Sequence, residues 1–88
     1  NQELSQSIVL VIDKTARLRG LSGYLKRNQP DGNNKVRLRF ENAPFDELVR
    51  WLNDVKTGHG LKAISASIDR SESPGRINCS LILERDAV

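Results

Sequence analysis

The sequence predicts an α+β domain in which two helices cover one face of a four-stranded antiparallel sheet. Three observations carry this prediction. Two long segments repeat apolar residues at helical spacing. Other segments alternate apolar and polar residues, as half-buried strands do. Turn residues follow each helix and separate the strands of each pair. The order of elements is therefore α-β-β-α-β-β, in a chain of 88 residues that supports one core.

The first helix is predicted from Glu3 to Arg19. Its apolar residues share one face through i, i+4, i+7, i+8 spacing. They are Leu4, Ile8, Val11, Ile12, Thr15 and Leu18. Gly20 or Gly23 ends the helix. The β-branched run Ile8–Ile12 is also compatible with a strand, but no turn residues bracket it closely, which favours a helix.

The next two strands form a hairpin. The first strand is predicted over Gly23–Gln29, and the turn over Pro30–Asn34, where glycine and asparagine tolerate positive φ. The second strand, Lys35–Glu41, alternates cleanly between two faces. Its inward residues are Val36, Leu38 and Phe40, and its outward residues are Lys35, Arg37, Arg39 and Glu41.

The second helix is predicted to begin at Pro44, because proline suits the first helical position, where its missing N–H would be unpaired anyway. Asp46 and Glu47 in the first turn complement the helix dipole. Gly58 and Gly60 end the helix. Its predicted apolar face consists of Phe45, Leu48, Val49, Leu52 and Val55.

A second hairpin completes the domain. Its strands are predicted over Leu61–Asp69 and Arg76–Arg85, with a turn over Ser71–Gly75. On the third strand Ile64, Ala66 and Ile68 alternate with Ser65, Ser67 and Asp69, and on the fourth strand the inward residues are Ile77, Cys79, Leu81 and Leu83. With both helices on one face, the strand order is 3-4-2-1 and the first and third strands are edges. This is a circularly permuted ferredoxin-like sandwich.

Composition excludes several classes of protein. The net charge of +3 is too small to indicate nucleic-acid binding by itself. The longest apolar run, Ile8–Ile12, is far too short to cross a bilayer. The chain contains no methionine and begins Asn1-Gln2, which predicts a processed protein or an excised fragment, and leaves open whether an anchor or a targeting segment lies upstream.

No catalytic residue, metal site or cofactor is expected. Cys79 is the only cysteine, so it can form neither an internal disulfide nor a multi-cysteine metal site. Its inward position on a central strand predicts a buried, inert thiol. His59 lies at a helix end without a neighbouring partner for acid–base catalysis. These features favour an interaction module over an enzyme.

Six residues are candidates for contact with a partner, and they are Val9, Leu10, Leu21, Tyr24, Leu25 and Trp51. Val9 and Leu10 lie off the main stripe of the first helix, and Leu21 would share the side of Leu10 if that helix continued. Tyr24 and Leu25 belong to an edge strand, which can pair with a neighbouring chain.

Two alternatives remain open for these candidates. Trp51 either widens the core stripe of the second helix or anchors an interface. The apolar surplus on the first helix indicates a second contact surface, yet small domains also expose a few apolar residues that have no partner.

The basic row Lys35, Arg37 and Arg39 raises the question of RNA binding. RNA-binding sheets stack bases on exposed aromatic side chains. Phe40, the only aromatic residue of this strand, points to the opposite face. A solvated sheet face, with some electrostatic contribution to partner binding, is the favoured interpretation.

Several motifs together resemble one protein family. The distinctive one is Ala43-Pro44-Phe45-Asp46-Glu47-Leu48-Val49-Arg50-Trp51-Leu52. It is preceded by Gln29-Pro30 and Val36-Arg37-Leu38, and followed by Gly60-Leu61, Ile68-Asp69-Arg70, Pro74-Gly75 and Leu81-Ile82-Leu83-Glu84-Arg85. From about Ile8 onward, this pattern resembles the periplasmic domain of type II secretion system protein M, the GspM or general secretion pathway M family.

The resemblance implies a non-enzymatic assembly component of Gram-negative bacteria. Its members are single-pass inner-membrane proteins with this domain in the periplasm. They form homodimers and pair with the L component, whose periplasmic domain is similarly folded. The platform also contains the C and F components and a cytoplasmic ATPase, and it supports assembly of the pseudopilus, so pseudopilins are further candidate partners. No nucleic acid is expected. A ligand-binding sensor domain of the same fold is the alternative function.

Overall fold

The computed structural model describes residues 2–32 and 34–85, with side chains from residue 8 onward. Its elements follow the predicted order. They are α1 (Gln2–Leu18), β1 (Leu25–Asp31), β2 (Lys35–Pro44), α2 (Phe45–His59), β3 (Leu61–Arg70) and β4 (Arg76–Arg85), with a 3₁₀ turn at Ser22–Tyr24 before β1. The side chain of Leu4 and the predicted turn residue Asn33 lie outside the described residues.

The four strands form one antiparallel sheet in the order β1-β2-β4-β3. This is the predicted order read from the other edge, so the permuted ferredoxin-like topology is confirmed. The two central strands bury their inward side chains against the helices, also as predicted, because each has a neighbouring strand on both sides. The buried set comprises Val36, Leu38, Phe40 and Ala43 on β2, and Cys79, Leu81 and Leu83 on β4, whereas Ile77 of β4 is half-buried.

Helix α1 packs on the sheet through a narrower stripe than the one predicted. Ile8, Ile12 and Ala16 are buried at i, i+4 spacing, whereas the predicted stripe residue Leu18 is 80% exposed. The chain leaves the helix at Gly20, which adopts φ +72°. The Leu21 N–H then donates to the Ala16 carbonyl at 2.7 Å, as in a Schellman end. This turn buries Leu21 instead of Leu18.

Helix α2 begins one residue later than predicted. Pro44 is its N-cap, with extended backbone, and Phe45 is its first residue. The prediction placed proline inside the first turn, but Pro44 still pairs with Arg76 as the last residue of β2. The Phe45 N–H donates to the Gly75 carbonyl at 3.0 Å, which ties the helix start to the β3–β4 turn.

The core of α2 is centred on Trp51. Leu48, Trp51 and Val55 are buried, whereas Phe45 and Val49 of the predicted apolar face are exposed. The Trp51 ring meets Phe40 edge to face, with centroids 5.3 Å apart. Its indole Nε1–H donates to Thr15 Oγ1 at 2.9 Å. Trp51 therefore links α2 to both α1 and the sheet.

Strand β2 runs beyond the predicted end at Glu41 because it contains a bulge. Its register with β4 shifts between Phe40 and Ala43. Asn42 occupies the bulge with φ 57°, a left-handed conformation that asparagine tolerates better than most residues. Hydrogen bonds from Ser71 Oγ to Asn42 Oδ1 and from Arg76 to the Asn42 carbonyl hold it in place.

Candidate functional site

Two of the six predicted interface residues belong to the core. Leu21 and Trp51 are both 0% exposed. Leu21 is drawn inward by the turn that ends α1, and Trp51 by its contacts with Phe40 and Thr15. Neither side chain can reach a partner, so both assignments were wrong, and the core interpretation of Trp51 is the correct one.

The other four candidates lie around α1 and the start of β1. Leu10 is 66% exposed, whereas Val9, Tyr24 and Leu25 are half-buried. The Val9 carbonyl accepts a hydrogen bond from Asn28 Nδ2 at 3.1 Å. The Arg76 guanidinium lies over the Tyr24 ring, 5.2 Å from its centroid. Leu10 therefore offers the largest free area of the four, and their role in partner contact stays a prediction.

A second apolar surface, not identified from the sequence, lies between α2 and β3. Ala66 and Ile68 pair with the inward β4 residues Leu81 and Cys79, which places them on the helix side of the sheet. Ile64, Ala66 and Ile68, the alternating apolar residues of this strand, are nevertheless exposed. Of all β3 residues only Leu61 is buried, because α2 does not cover the outer part of this edge strand.

One flank of α2, the helix that packs beside β3, is also exposed. Phe45 and Val49 are 43% and 47% exposed, and Leu52, one turn further along the same flank, is half-buried. Phe45 shares one concavity with Arg70, and Leu52 shares another with Leu61 and Ala63. We call the surface formed by these apolar side chains the β3 groove, and its members are Phe45, Val49, Leu52, Ala66 and Ile68.

The two sheet edges differ in their protection against strand pairing. Strand β1 carries Lys26, Arg27 and Pro30 and has a register shift at its start, all of which discourage a further strand. Strand β3 also has a shift, between Ala63 and Ser65, but from Ser65 onward its register is regular. That part contains no proline, and its charges stand only at the end, at Asp69 and Arg70. The β3 edge is thus the less protected one.

The outer face of the sheet, opposite the helices, is polar and basic. Arg37 and Arg39 lie on this face, while Phe40 is fully buried on the other. The predicted separation of the basic row from the only aromatic residue of the strand is therefore correct. Arg39 donates to Ser80 Oγ at 2.8 Å, and Arg37 pairs with Asp31 at 3.1 Å.

The described residues hold no group of three His, Cys or carboxylate side chains that could bind a metal. Cys79 is 1% exposed, and burial raises the pKa of its thiol above the ordinary value, against a smaller lowering by Arg39. The reactive thiolate is therefore disfavoured. His59 is exposed at the end of α2.

A bidentate ion pair fastens the end of α1 to α2. Arg19 Nε and Nη2 contact the two carboxylate oxygens of Asp54 at 2.7 and 3.1 Å, and Arg19 Nη1 lies 3.7 Å from Glu47. The hydrogen bonds from Arg19 lower the pKa of Asp54, with desolvation opposing them. Because Arg19 and Asp54 already bind each other, this cluster has a structural role: it joins the end of α1 to α2. We call it the helix clamp.

Comparison with known proteins gives concordant matches. The model of the family described as type II secretion system (T2SS), protein M, matches residues 8–85. Type II secretion system protein M from Pectobacterium carotovorum subsp. carotovorum is 30% identical over 87 residues, which are 97% of this chain and 51% of that protein. The chain thus spans about half the length of that curated relative.

A solved structure has the same fold. The periplasmic domain of EpsM from Vibrio cholerae superimposes with a TM-score of 0.73 and 26% identity, over 86% of this chain and 95% of that one. Among the described helices of the present chain, none is long and apolar enough to cross a membrane.

Proposed function

Because this chain belongs to the type II secretion system protein M family, and is therefore part of a secretion machinery, we propose that it is a periplasmic docking domain that acts without catalysing a reaction. The observation that carries this proposal is the β3 groove, where an incompletely protected strand edge lies beside exposed apolar side chains. Exposed apolar surface of this kind is typical of protein contact sites.

We assign the β3 edge to a second copy of the chain. The regular part of β3 is self-complementary when two copies run antiparallel about a two-fold axis at Ser67. Ser67 then faces its own copy, Ala66 faces Ile68, and Ser65 faces Asp69. Each pair lies on one side of the sheet, and none brings like charges together. The two sheets would merge into one of eight strands.

The same pairing would also bring apolar side chains of the two copies into contact. Ala66 and Ile68 of both copies would form one patch on the helix side, where Phe45 and Val49 are exposed. Burial of apolar side chains at this joint would add to the backbone hydrogen bonds, each of which contributes about 0.5–1.5 kcal/mol. The proposed contact therefore uses both features of the groove, the strand edge and the flank of α2.

Membership of the family extends the proposal to other partners. The periplasmic domain of the L component, which we expect to be similarly folded, would compete for the same edge. Attachment to the inner membrane through an upstream segment would hold both domains near the C and F components, and would couple them indirectly to the cytoplasmic ATPase and the pseudopilins.

Sedimentation of single-charge variants tests the proposal. Ile68→Lys should weaken self-association by at least about tenfold, the equivalent of 1.4 kcal/mol, while leaving the monomer folded because Ile68 is already 53% exposed. Leu18→Lys is the matched control, since Leu18 is 80% exposed and lies away from β3. Leu10→Lys tests the surface predicted from the sequence.

The outcomes separate the two surfaces. A larger effect of Leu10→Lys than of Ile68→Lys would move the contact to α1. A wild-type chain that stays monomeric up to millimolar concentration, and also fails to bind the L-component domain, would refute a docking function for this surface.

A further inference from the structure

The outer face of the sheet carries a row of hydrogen-bond donors, of which only Ser67 lies on the β3 edge assigned to the proposed dimer. Strand register places Arg27 opposite Arg39, Arg39 opposite Ser80, and Ser80 opposite Ser67. One residue from each strand thus contributes to a single line across the sheet. Neighbouring strands are about 4.8 Å apart, so the row, here named the donor row, reaches across the full width of the sheet.

A parallel row lies beside it. Gln29 faces Arg37, Arg37 faces Ile82, and Ile82 faces Ser65. Together with Lys26 and Glu41, residues of these two rows line a concavity of about 500 Å³. Its lining contains four cationic side chains, from Lys26, Arg27, Arg37 and Arg39, and one carboxylate, that of Glu41. Asp31, outside this lining, pairs with Arg37 at 3.1 Å.

The charge of the donor row is not balanced within the described part of the chain. Arg27 stands directly opposite Arg39, and like charges in that position destabilise a sheet. The Arg27 side chain makes no ion pair with any described residue. Arg39 lies 3.5 Å from Glu41, a long contact. By contrast, Lys35 and Glu84 at the far end of the same face pair with each other at 4.0 Å.

From this arrangement we infer that the outer sheet face binds an extended acidic segment of another polypeptide. Arg37 and Arg39 are two residues apart on one strand, and therefore about 7 Å apart. Carboxylates at alternate positions of an extended segment have the same spacing. Guanidinium groups bind carboxylates through paired hydrogen bonds, and the Ser67 and Ser80 hydroxyls can donate to further oxygens.

The shape of the face favours a polypeptide over two other anionic partners. A bilayer surface is flat and would contact the exposed Arg27 and Arg37 rather than the half-buried Arg39. Single-stranded RNA would be expected to stack on aromatic side chains, and neither of the two described rows contains one. A narrow acidic segment can reach Arg39 and does not need an aromatic side chain on which to stack.

The test is an NMR and calorimetric titration with a synthetic peptide of alternating glutamate and glycine residues. We expect amide shifts confined to the outer-face residues of the two rows, and an affinity that falls as salt is added. Arg27→Glu should weaken binding by about tenfold or more, since it removes a charge-assisted hydrogen bond and places a carboxylate beside the acidic peptide. The same variant should fold at least as stably as wild type, because it replaces a like-charge pair by an ion pair.

The matched control is Lys14→Glu, which makes the same charge change at an exposed position on α1. Equal weakening by both variants would overturn the proposal, because net charge alone would then explain binding. It would also be overturned if phosphatidylglycerol vesicles, an RNA oligonucleotide or inorganic phosphate bound this face more tightly than the peptide. Dimerisation through β3 should be unaffected by Arg27→Glu, so failure here leaves the proposed function standing.

Discussion

Truncation of Trp51 tests the account of the core most sharply. The side chain is 0% exposed, meets Phe40 edge to face at 5.3 Å and donates to Thr15 Oγ1 at 2.9 Å. Replacement of a buried aromatic residue by alanine costs about 3–5 kcal/mol of unfolding free energy. A domain of 88 residues has about 4–13 kcal/mol in total at 0.05–0.15 kcal/mol per residue. Trp51→Ala should therefore remove a large share of the unfolding free energy, and should unfold the domain if the wild type lies near the lower end of this range.

Trp51→Phe separates the packing of the ring from its hydrogen bond. Thr15 Oγ1 also donates to the Val11 carbonyl at 2.6 Å, so loss of the indole N–H does not leave the Thr15 donor unpaired. The variant should lose about 1 kcal/mol for the hydrogen bond, together with part of the ring contact. It should consequently remain folded, with a stability between those of wild type and Trp51→Ala.

Urea denaturation followed by far-UV circular dichroism is the assay, because it does not depend on tryptophan fluorescence. Phe45→Ala is the control. Phe45 belongs to the same helix but is 43% exposed, so its truncation should cost about 1 kcal/mol or less. If Trp51→Ala cost no more than Phe45→Ala, the assignment of Trp51 to the core would be refuted.

Three further predictions concern the helix clamp, the β2 bulge and the buried thiol. Asp54→Asn should destabilise the domain at neutral pH. Because binding to Arg19 lowers the pKa of Asp54 in the folded chain below its ordinary value, the difference from wild type in urea unfolding should shrink as pH falls through that lowered pKa. A difference that does not depend on pH would contradict this. In thermal unfolding, Asn42→Ala should lose about 1 kcal/mol more unfolding free energy than Asn42→Gly, since only glycine accepts φ 57° without strain. Equal losses would show instead that both variants are destabilised by the loss of the side-chain contacts of Asn42. Cys79 should react with a thiol reagent on the order of a hundredfold more slowly in the native chain than in urea, and comparable rates would show that the strand opens readily.

The burial of the central strands could be predicted from the residue pattern of each strand alone. Each has a strand on both sides and helices above, so alternation along β2 and β4 translates directly into burial. The exposure of the apolar residues of β3 has a tertiary cause. Alternation identified the helix-facing side of Ile64–Ile68, but burial depends on how far α2 extends across the sheet. The residue pattern of β3 alone does not show how far α2 extends across the sheet.

The errors at the candidate interface have local geometric causes. Leu21 becomes buried because Gly20 at φ +72° turns the chain back over the end of α1. Periodicity cannot show such a reversal. The donor row was missed for a similar reason, since the pairing of Arg27 with Arg39 depends on a register shift between Leu25 and Arg27. The outward direction of Arg37 and Arg39 themselves followed from simple alternation.

Amide hydrogen exchange as a function of chain concentration tests docking through β3 most directly. At low concentration, the outward-facing amides of β3 should exchange quickly, because no strand covers this edge. At concentrations that favour the dimer, protection should increase in Ser65–Asp69 and remain unchanged along β1. Increased protection along β1 or α1, with none along β3, would contradict the proposed contact.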